Sequence, residues 1–587
     1  MAFFKKKIAE VKLEEDHDVL ATGVAGDDVD VDEVMRKYDK ESNTRVWEGI
    51  PKVVVTAIMV LFSVYCLVVT LVSTEQAEAR LARFLACVII IGFIIYPVRK
   101  KGHKVNHIPW YDIVLMIAGA GSFLYFAQNV TDILLMGARI EPLHVALGVV
   151  GTLVLVELCR RCVGLPIIIV VCCLIAYAFY WQLSSSSSGD LYSSLRKIVQ
   201  KLFYTTSGVI GTPINVCCTY IVLFVIFGAF LERTGIANFF IAFANRIAGW
   251  SSGGAAKVSV IASALCGMVS GSSVGNTVTT GSVTIPMMKK VGYKPEFAGA
   301  VEAASSSGGQ IMPPIMGAAA FLMAEYMDLP YATVAVKAIL PAVLYFTGIF
   351  IAVHLEAKKL GLKGLSKDEM PKWADLGKKI YLLAPLVLLV WLVSSGAKTM
   401  QFSAAVSILA AVIVGFLNKD ERLTFKKIFE ALEAGAKGAI TVAVACAIAG
   451  MIAGCITVTG LASILINAIV QLAGSATFIG LILTMVCCIV LGMGVPTTAN
   501  YCIMASTCAP ILIKMGFPLV AAHFFVFYFG IVADITPPVA LAAYAGSAIA
   551  KGNPMKTGIN ATKLAIAAFI VPYIFAYSPA MLFVNVT

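Results

Sequence analysis

The sequence predicts an all-α polytopic membrane protein organised around an inverted repeat with two re-entrant hairpins and two broken helices. Composition is the first reason. Of 587 residues, 59% are hydrophobic and 13% charged, where a soluble domain carries roughly 25% charged residues; mean hydropathy is +0.88. The second reason is the series of apolar runs at or near the roughly 20-residue spanning length. The third is self-similarity. Slid forward by 224 positions, Ser273 falls on Thr497, Asn276 on Asn500, Pro286 on Pro510, Lys290 on Lys514, Gly292 on Gly516 and Pro313-Pro314 on Pro537-Pro538. Upstream, after one gap, Thr234 to Ala237 (TGIA) is answered by Thr459 to Ala462 (TGLA). The repeats cover about 228–325 and 453–549.

In chain order, residues 1–46 form an acidic tail; the first 50 residues hold 8 basic and 13 acidic side chains. Solvated and without a leading apolar run, this tail reads as cytoplasmic, with no cleavable signal. Apolar runs follow at Val53 to Val72, Cys87 to Tyr96, Ile113 to Phe126, Val145 to Val156, Leu165 to Tyr180 and Val216 to Leu231. The cluster Arg99-Lys100-Lys101 with Lys104, and later Arg160-Arg161, belong on the cytoplasmic side, so the N-terminus lies inside. The Ser184 to Ser188 run is a connector, and Leu195 to Phe203 is amphipathic enough to lie along the interface. Further runs are Ile339 to Val353, Ile380 to Val393, Phe402 to Phe416, Ile440 to Ile456 and Leu564 to Val584. Between the repeats five crossings are expected, at about 297–327, 332–354, 380–395, 402–417 and 436–456. Five is odd, so the second repeat enters from the opposite face. Such inverted repeats are a common build for secondary transporters.

The stretches Gly271 to Thr277 and Gly492 to Asn500 are too polar and Gly-rich to cross as plain helices and suit hairpin tips. The Pro-Pro pairs remove amide donors and clash with the preceding turn, leaving carbonyls free beside Gly308-Gly309-Gln310 and beside Asp534. Freed carbonyls, hydroxyls and Asn amide oxygens are hard ligands that suit a cation such as Na⁺, while half-helix N-termini suit an anion. The competing reading is that Gly, Ser and Thr only let helices pack closely; duplication of the Asn-to-Pro-Pro spacing favours the site. Asp534 is a carboxylate at membrane depth whose counterpart is Gln310, so the two ion sites need not be equivalent. Glu302 and Glu325 read as interfacial or structural groups near span ends.

At these residues the chain resembles the membrane component of tripartite ATP-independent periplasmic (TRAP) transporters, and most nearly the fused permeases that work with TAXI-type binding proteins. GAFLERTG (Gly228 to Gly235), the run from Gly253 to Glu325, LGMGVPTTANY and ADITPPVALAAYA carry the resemblance. It places small-subunit-like scaffold helices at 47–140 and a large-subunit-like transporter domain at 141–587. It implies Na⁺-driven import of a small organic anion through the inner membrane, handed over by an extracytoplasmic TAXI-type binding protein, by an elevator mechanism. By that resemblance the Na⁺ ligands fall at Ser272, Ser273, Asn276, Gly308, Gly309 and Pro313 in the first repeat, and at Gly494, Thr497, Thr498, Asn500, Asp534 and Thr536 in the second. Substrate would lie between the tips, against Ser272, Ser273, Thr277, Gln310, Pro496, Thr497 and Asp534. Neither tip carries Arg or Lys.

Other classes fit less well. A stand-alone Na⁺/dicarboxylate-type elevator carrier shares the hairpin logic but would lack the 47–140 helices. No G-x-x-x-x-G-K-[ST] loop is present for a primary pump. No catalytic constellation suggests an enzyme: His107, His144, His354 and His523 have no base or ligand at motif spacing. The 15 Cys are scattered in apolar runs, with one CxxC at Cys159 to Cys162, and the basic–aromatic pattern of a nucleic-acid binder is absent.

Overall fold

The computed structural model describes residues 31–38, 43–98, 105–185, 190–365, 370–473 and 476–584. Most of the acidic tail, the Arg99 to Lys104 cluster and Ser186 to Ser188 lie outside the described residues.

The described chain is helical throughout. A short helix, α1 (Val31–Tyr38), precedes α2 (Gly49–Val72), α3 (Ala77–Ile95), α4 (Trp110–Gln128), α5 (Val130–Met136), α6 (Pro142–Cys162), α7 (Leu165–Ser185) and α8 (Leu191–Phe203). Asp190 caps α8, its carboxylate accepting from the Tyr192 and Ser193 amides. The helix α9 (Thr212–Arg233) contains a π turn at Cys217–Ile221. Then come α10 (Ile236–Ala248), α11 (Gly254–Ser270), α12 (Ser273–Lys290), α13 (Pro295–Gly309) and α14 (Ala318–Met327). Three spans lead onward: α15 (Tyr331–Lys359), α16 (Trp373–Ser395) and α17 (Met400–Leu417). The second half runs α18 (Phe425–Thr459), α19 (Leu461–Ala473), α20 (Thr477–Gly492), α21 (Thr497–Thr507), α22 (Ala509–Lys514), α23 (Leu519–Val532) and α24 (Leu541–Ala550). The chain closes with α25 (Pro554–Leu564) and α26 (Ile566–Tyr577).

Among the described residues, ten helices are long and apolar enough to cross a membrane. The last apolar run departs from expectation: it is not one span from Leu564 to Val584 but a helix from Pro554 that breaks at Ala565 and stops at Tyr577. Lys556 and Lys563 had hidden its start from a hydropathy reading. Likewise α18 begins 15 residues before the Ile440 run, because its first turns carry charges.

The repeat corresponds element by element. Helices α11 and α12 form a packed pair in the first half, as α20 and α21 do in the second. Each pair is followed by a helix that breaks at Pro-Pro: α13 then α14, and α23 then α24. Both Pro-Pro bonds are cis. The halves also exchange their last helices. α24 packs on α12 and α13 of the first half, whereas α14 packs on α21 and α23 of the second. Where α13 crosses α24, a Cβ on Gly299 would stand 2.8 Å from the Gly546 carbonyl oxygen, and one on Gly546 2.6 Å from that of Gly299. The crossing therefore requires glycine on both sides, which is the close-packing role considered for the small residues. Two apolar clusters result. One gathers α11 to α13, α24, α25 and the inner face of α15. The other runs through α2 to α9, α14, α18 and α20 to α23. Met312, within the first break, touches both.

Candidate functional site between the helix breaks

Each hairpin turns on a glycine in the left-handed region: Gly271 at φ 66° and Gly494 at φ 71°, a conformation only glycine adopts cheaply. In the first tip Ser272 then caps α12, its hydroxyl oxygen accepting from the Gly275 amide at 3.1 Å. In the second, Pro496 precedes α21 as its N-cap. Both tips therefore present the N-terminal ends of helices to a common space.

That space is a cavity of about 390 Å³. Eight of the expected site residues line it: Ser272, Ser273, Gln310, Gly494, Pro496, Thr497, Thr498 and Asp534. Ser273 Oγ donates to Asp534 Oδ2 at 2.7 Å, a contact between residues 261 positions apart that ties the first tip to the second break. The opposite wall is α9 and α18, through Phe224, Glu232, Lys437 and Thr441. Sequence reasoning missed Glu232 and Lys437, since neither lies in a tip. Met35 and Tyr38 of α1 complete the lining, and α1 packs on α12 and α24.

The remaining expected residues lie behind this wall. Asn276 and Asn500 are both 1% exposed. Each uses its amide nitrogen to hold backbone: Asn276 Nδ2 donates to Ser263 O at 2.9 Å and Asn500 Nδ2 to Gly530 O at 3.0 Å. Each leaves its amide oxygen buried without a hydrogen bond. Space is cleared for both side chains by glycine. A Cβ on Gly267 would stand 2.9 Å from Asn276 Nδ2, and one on Gly492 2.6 Å from Asn500 Nδ2. A buried carbonyl-type oxygen left unpaired is costly, and two at equivalent steps of a repeat are no accident of packing. The Gln310 amide and the hydroxyls of Ser305 and Ser307 are also buried without partners.

Other expected residues lie outside the cavity lining or already have protein partners. Thr277, read as a substrate contact, is fully buried outside the cavity, with its hydroxyl donating to Ser273 O at 2.8 Å. Thr536 spends its hydroxyl on Val532 O at 2.7 Å. Gly308 faces the Tyr345 ring, and the Gly308 and Gly309 carbonyls accept from the Ile311 and Met312 amides at 3.0 and 3.1 Å. Past the breaks, Tyr331 OH donates to Pro314 O at 2.8 Å, and Tyr544 OH to Pro538 O at 2.5 Å. Pro313 also lies outside the cavity lining. Glu302 does not lie near a span end. It is fully buried in α13, where its carboxylate accepts from Ser259 (2.6 Å), Ser263 (2.5 Å), Ser306 (3.1 Å), Thr280 and Thr284. Glu325 is exposed in the last turn of α14.

A duplicated helical core, broken at matching steps around a shared cavity, defines a multi-pass membrane transporter. The profile of the family described as tripartite ATP-independent periplasmic transporter, DctM component, matches residues 150–587, and the chain belongs to that family. It is 25% identical over 396 residues to the C4-dicarboxylate TRAP transporter large permease protein DctM of Pseudomonas aeruginosa, covering 66% of this chain and 90% of that one. It is 22% identical to the isethionate TRAP transporter permease protein DctMQ of Oleidesulfovibrio alaskensis, covering 61% and 56%. Among solved structures, the antimetabolite efflux pump MtrF of Neisseria gonorrhoeae aligns with a TM-score of 0.49 at 11% identity, over 70% of this chain and 95% of that one.

Proposed function

We propose that this chain is the fused membrane component, small and large subunits together, of a TAXI-type TRAP transporter of the inner membrane. It couples Na⁺ entry to the import of a small organic anion delivered by an extracytoplasmic binding protein. The pair of orphaned amide oxygens, Asn276 Oδ1 and Asn500 Oδ1, carries this reading. Na⁺ takes neutral hard oxygens, and these two are desolvated, held by their own amide nitrogens and unclaimed by protein donors. The hydroxyls of Ser272, Ser273, Thr497 and Thr498 at the tips add donors of the same kind, and Asp534 supplies a charge on one side only. Substrate would sit in the cavity against Ser273, Gln310, Pro496 and Thr497, where the two half-helix N-termini favour an anion. The relatives named for C4-dicarboxylate and isethionate support a small organic anion.

On this reading residues 47–140 are a scaffold, supported by the packing of α2 on α18 and of α4 on α6. The hairpins and broken helices travel against it as an elevator, with α9 and α18 as the fixed wall, and the N-terminus is cytoplasmic. Uptake in proteoliposomes tests the proposal. Transport of a candidate organic acid is expected only with an inward Na⁺ gradient and the cognate binding protein together. Transport without the binding protein would favour a stand-alone carrier, and transport driven equally by a proton gradient would overturn the ion assignment.

A further inference from the structure

A second cavity, of about 270 Å³, lies where residues 44–47, the first turns of α2 and the helix α18 meet. Lys437 lines both this cavity and the central one. Behind its wall is a cluster of buried charge. Arg45, 6% exposed, pairs through Nη2 with Asp112, which is fully buried. Asp112 also takes Arg161 Nη2 at 2.7 Å. Arg161 and Arg160 both reach Glu157, at 2.8 and 2.7 Å. Three guanidiniums thus share two carboxylates, and at the cavity itself Lys52 lines the wall with Glu433 and Lys437. The excess positive charge is carried by the exposed Lys52 and the partly exposed Arg160, and it attracts an anion.

The hydrogen-bond inventory points the same way. Arg45 commits Nη1 to His107 O at 2.9 Å and Nη2 to Asp112, but its Nε has no partner. Trp47 Nε1 is likewise buried without an acceptor. Both residues line the cavity, which therefore offers two unclaimed N–H donors beside the Lys52 ammonium. The location adds chemistry. Ile50, Val53 and Val54 stand exposed on the first turns of α2, the start of an apolar span, and Trp47 just ahead of them is of a residue type enriched at headgroup level. Basic pockets between helices at that depth suit phosphate groups, and arginine's fixed donors match phosphate oxygens.

We propose that this cavity is a phosphate-binding site, held by Arg45 Nε, Trp47 Nε1 and Lys52. The phosphate belongs either to a lipid headgroup or to free inorganic phosphate, and the shared wall at Lys437 lets occupancy bear on the transport cavity. The test uses the full-length protein, delipidated in a maltoside detergent, which carries no phosphate. Phosphatidylglycerol or inorganic phosphate is added, with thermal midpoint and native mass spectrometry as readouts. Wild type is expected to gain stability and retain the ligand. The variant Trp47→Phe with Lys52→Gln keeps the ring and the exposed position and is expected to bind at least about tenfold more weakly, with its unliganded midpoint unchanged. A response to phosphatidylglycerol alone identifies the lipid source; a response to inorganic phosphate identifies the free anion. No response to either, or an equal response in wild type and variant, overturns the site. Should the double variant unfold, Lys52→Gln alone decides: its binding must fall severalfold, and undiminished binding overturns the proposal.

Discussion

Asn276 and Asn500 occupy the same step of the two halves, and each presents an orphaned amide oxygen, yet their surroundings are chemically unlike. In the first half Asn276 holds Ser263 O, and Ser263 Oγ in turn donates to Glu302, so the tip is joined to a carboxylate gripped by five hydroxyls. In the second half Asn500 holds Gly530 O on the broken helix instead. There the position of Glu302 is taken by Val526, that of Thr280 by Met504 and that of Thr284 by Cys508. The residues behind that tip are apolar or sulfur-bearing, with Cys508 Sγ 3.6 Å from Cys487 Sγ. One half fixes its amide through a polar lattice and the other through packing. The duplicated feature is the oxygen and the glycine that makes room for it; the support behind them has diverged. The breaks have diverged too, with Gln310 against Asp534.

The largest expected effect tests the shared part. Asn276→Ala and Asn500→Ala should each weaken Na⁺ activation of uptake by at least about 10–100-fold, read from Na⁺ titrations in proteoliposomes. Uptake at wild-type Na⁺ dependence in both would remove the site. Asp534→Asn tests the difference between the breaks. It keeps an acceptor for Ser273 but removes the one carboxylate at a break, and a shift of about tenfold in half-saturating Na⁺ is expected, equal to about 1.4 kcal/mol; Gln310→Glu should shift it far less. Glycine substitution separates the tips by stability. Gly267→Ala drives a Cβ to 2.6 Å from the Gly309 Cα as well as onto Asn276, whereas the atoms nearest a Cβ in Gly492→Ala are side-chain atoms of Asn500, Ala533 and Met504. Both should destabilise by about 1–3 kcal/mol, Gly267→Ala more, as seen in thermal unfolding. The smallest contrast lies in the supports. Thr280→Val removes a donor to Glu302 and should cost about 1–3 kcal/mol, while Met504→Leu at the matching position should cost less than about 1.5 kcal/mol. Equal costs would deny that the two supports differ.

The breaks, the tips and the asparagine pair were legible in sequence because duplication marks positions independently of their chemistry. The 224-residue offset picks out Asn500 from Asn276 without any knowledge of the fold. What duplication does not mark was misread. Glu302 stands in the polar run up to Gln310, and hydropathy places such a residue near an interface; its five hydroxyl donors come from three helices, α11, α12 and α13, which only the folded chain assembles. Lys437 was passed over because α18 extends well beyond its apolar centre, and a lysine outside an apolar run reads as a loop charge. Nor does duplication mark the partners of the second prolines: Tyr331 and Tyr544 donate to the Pro314 and Pro538 carbonyls from sites that share no spacing across the repeat.

The exchange of α14 and α24 makes each half dependent on the other. Neither half encloses itself: the first is completed by a helix ending at Ala550, the second by one ending at Met327. A gene for one half alone would encode a body with an open flank at the Gly299 crossing, and two such products could close it only by trading that helix about a two-fold axis. The present chain has the architecture of a swapped dimer written into a single polypeptide, in which neither partner can dissociate.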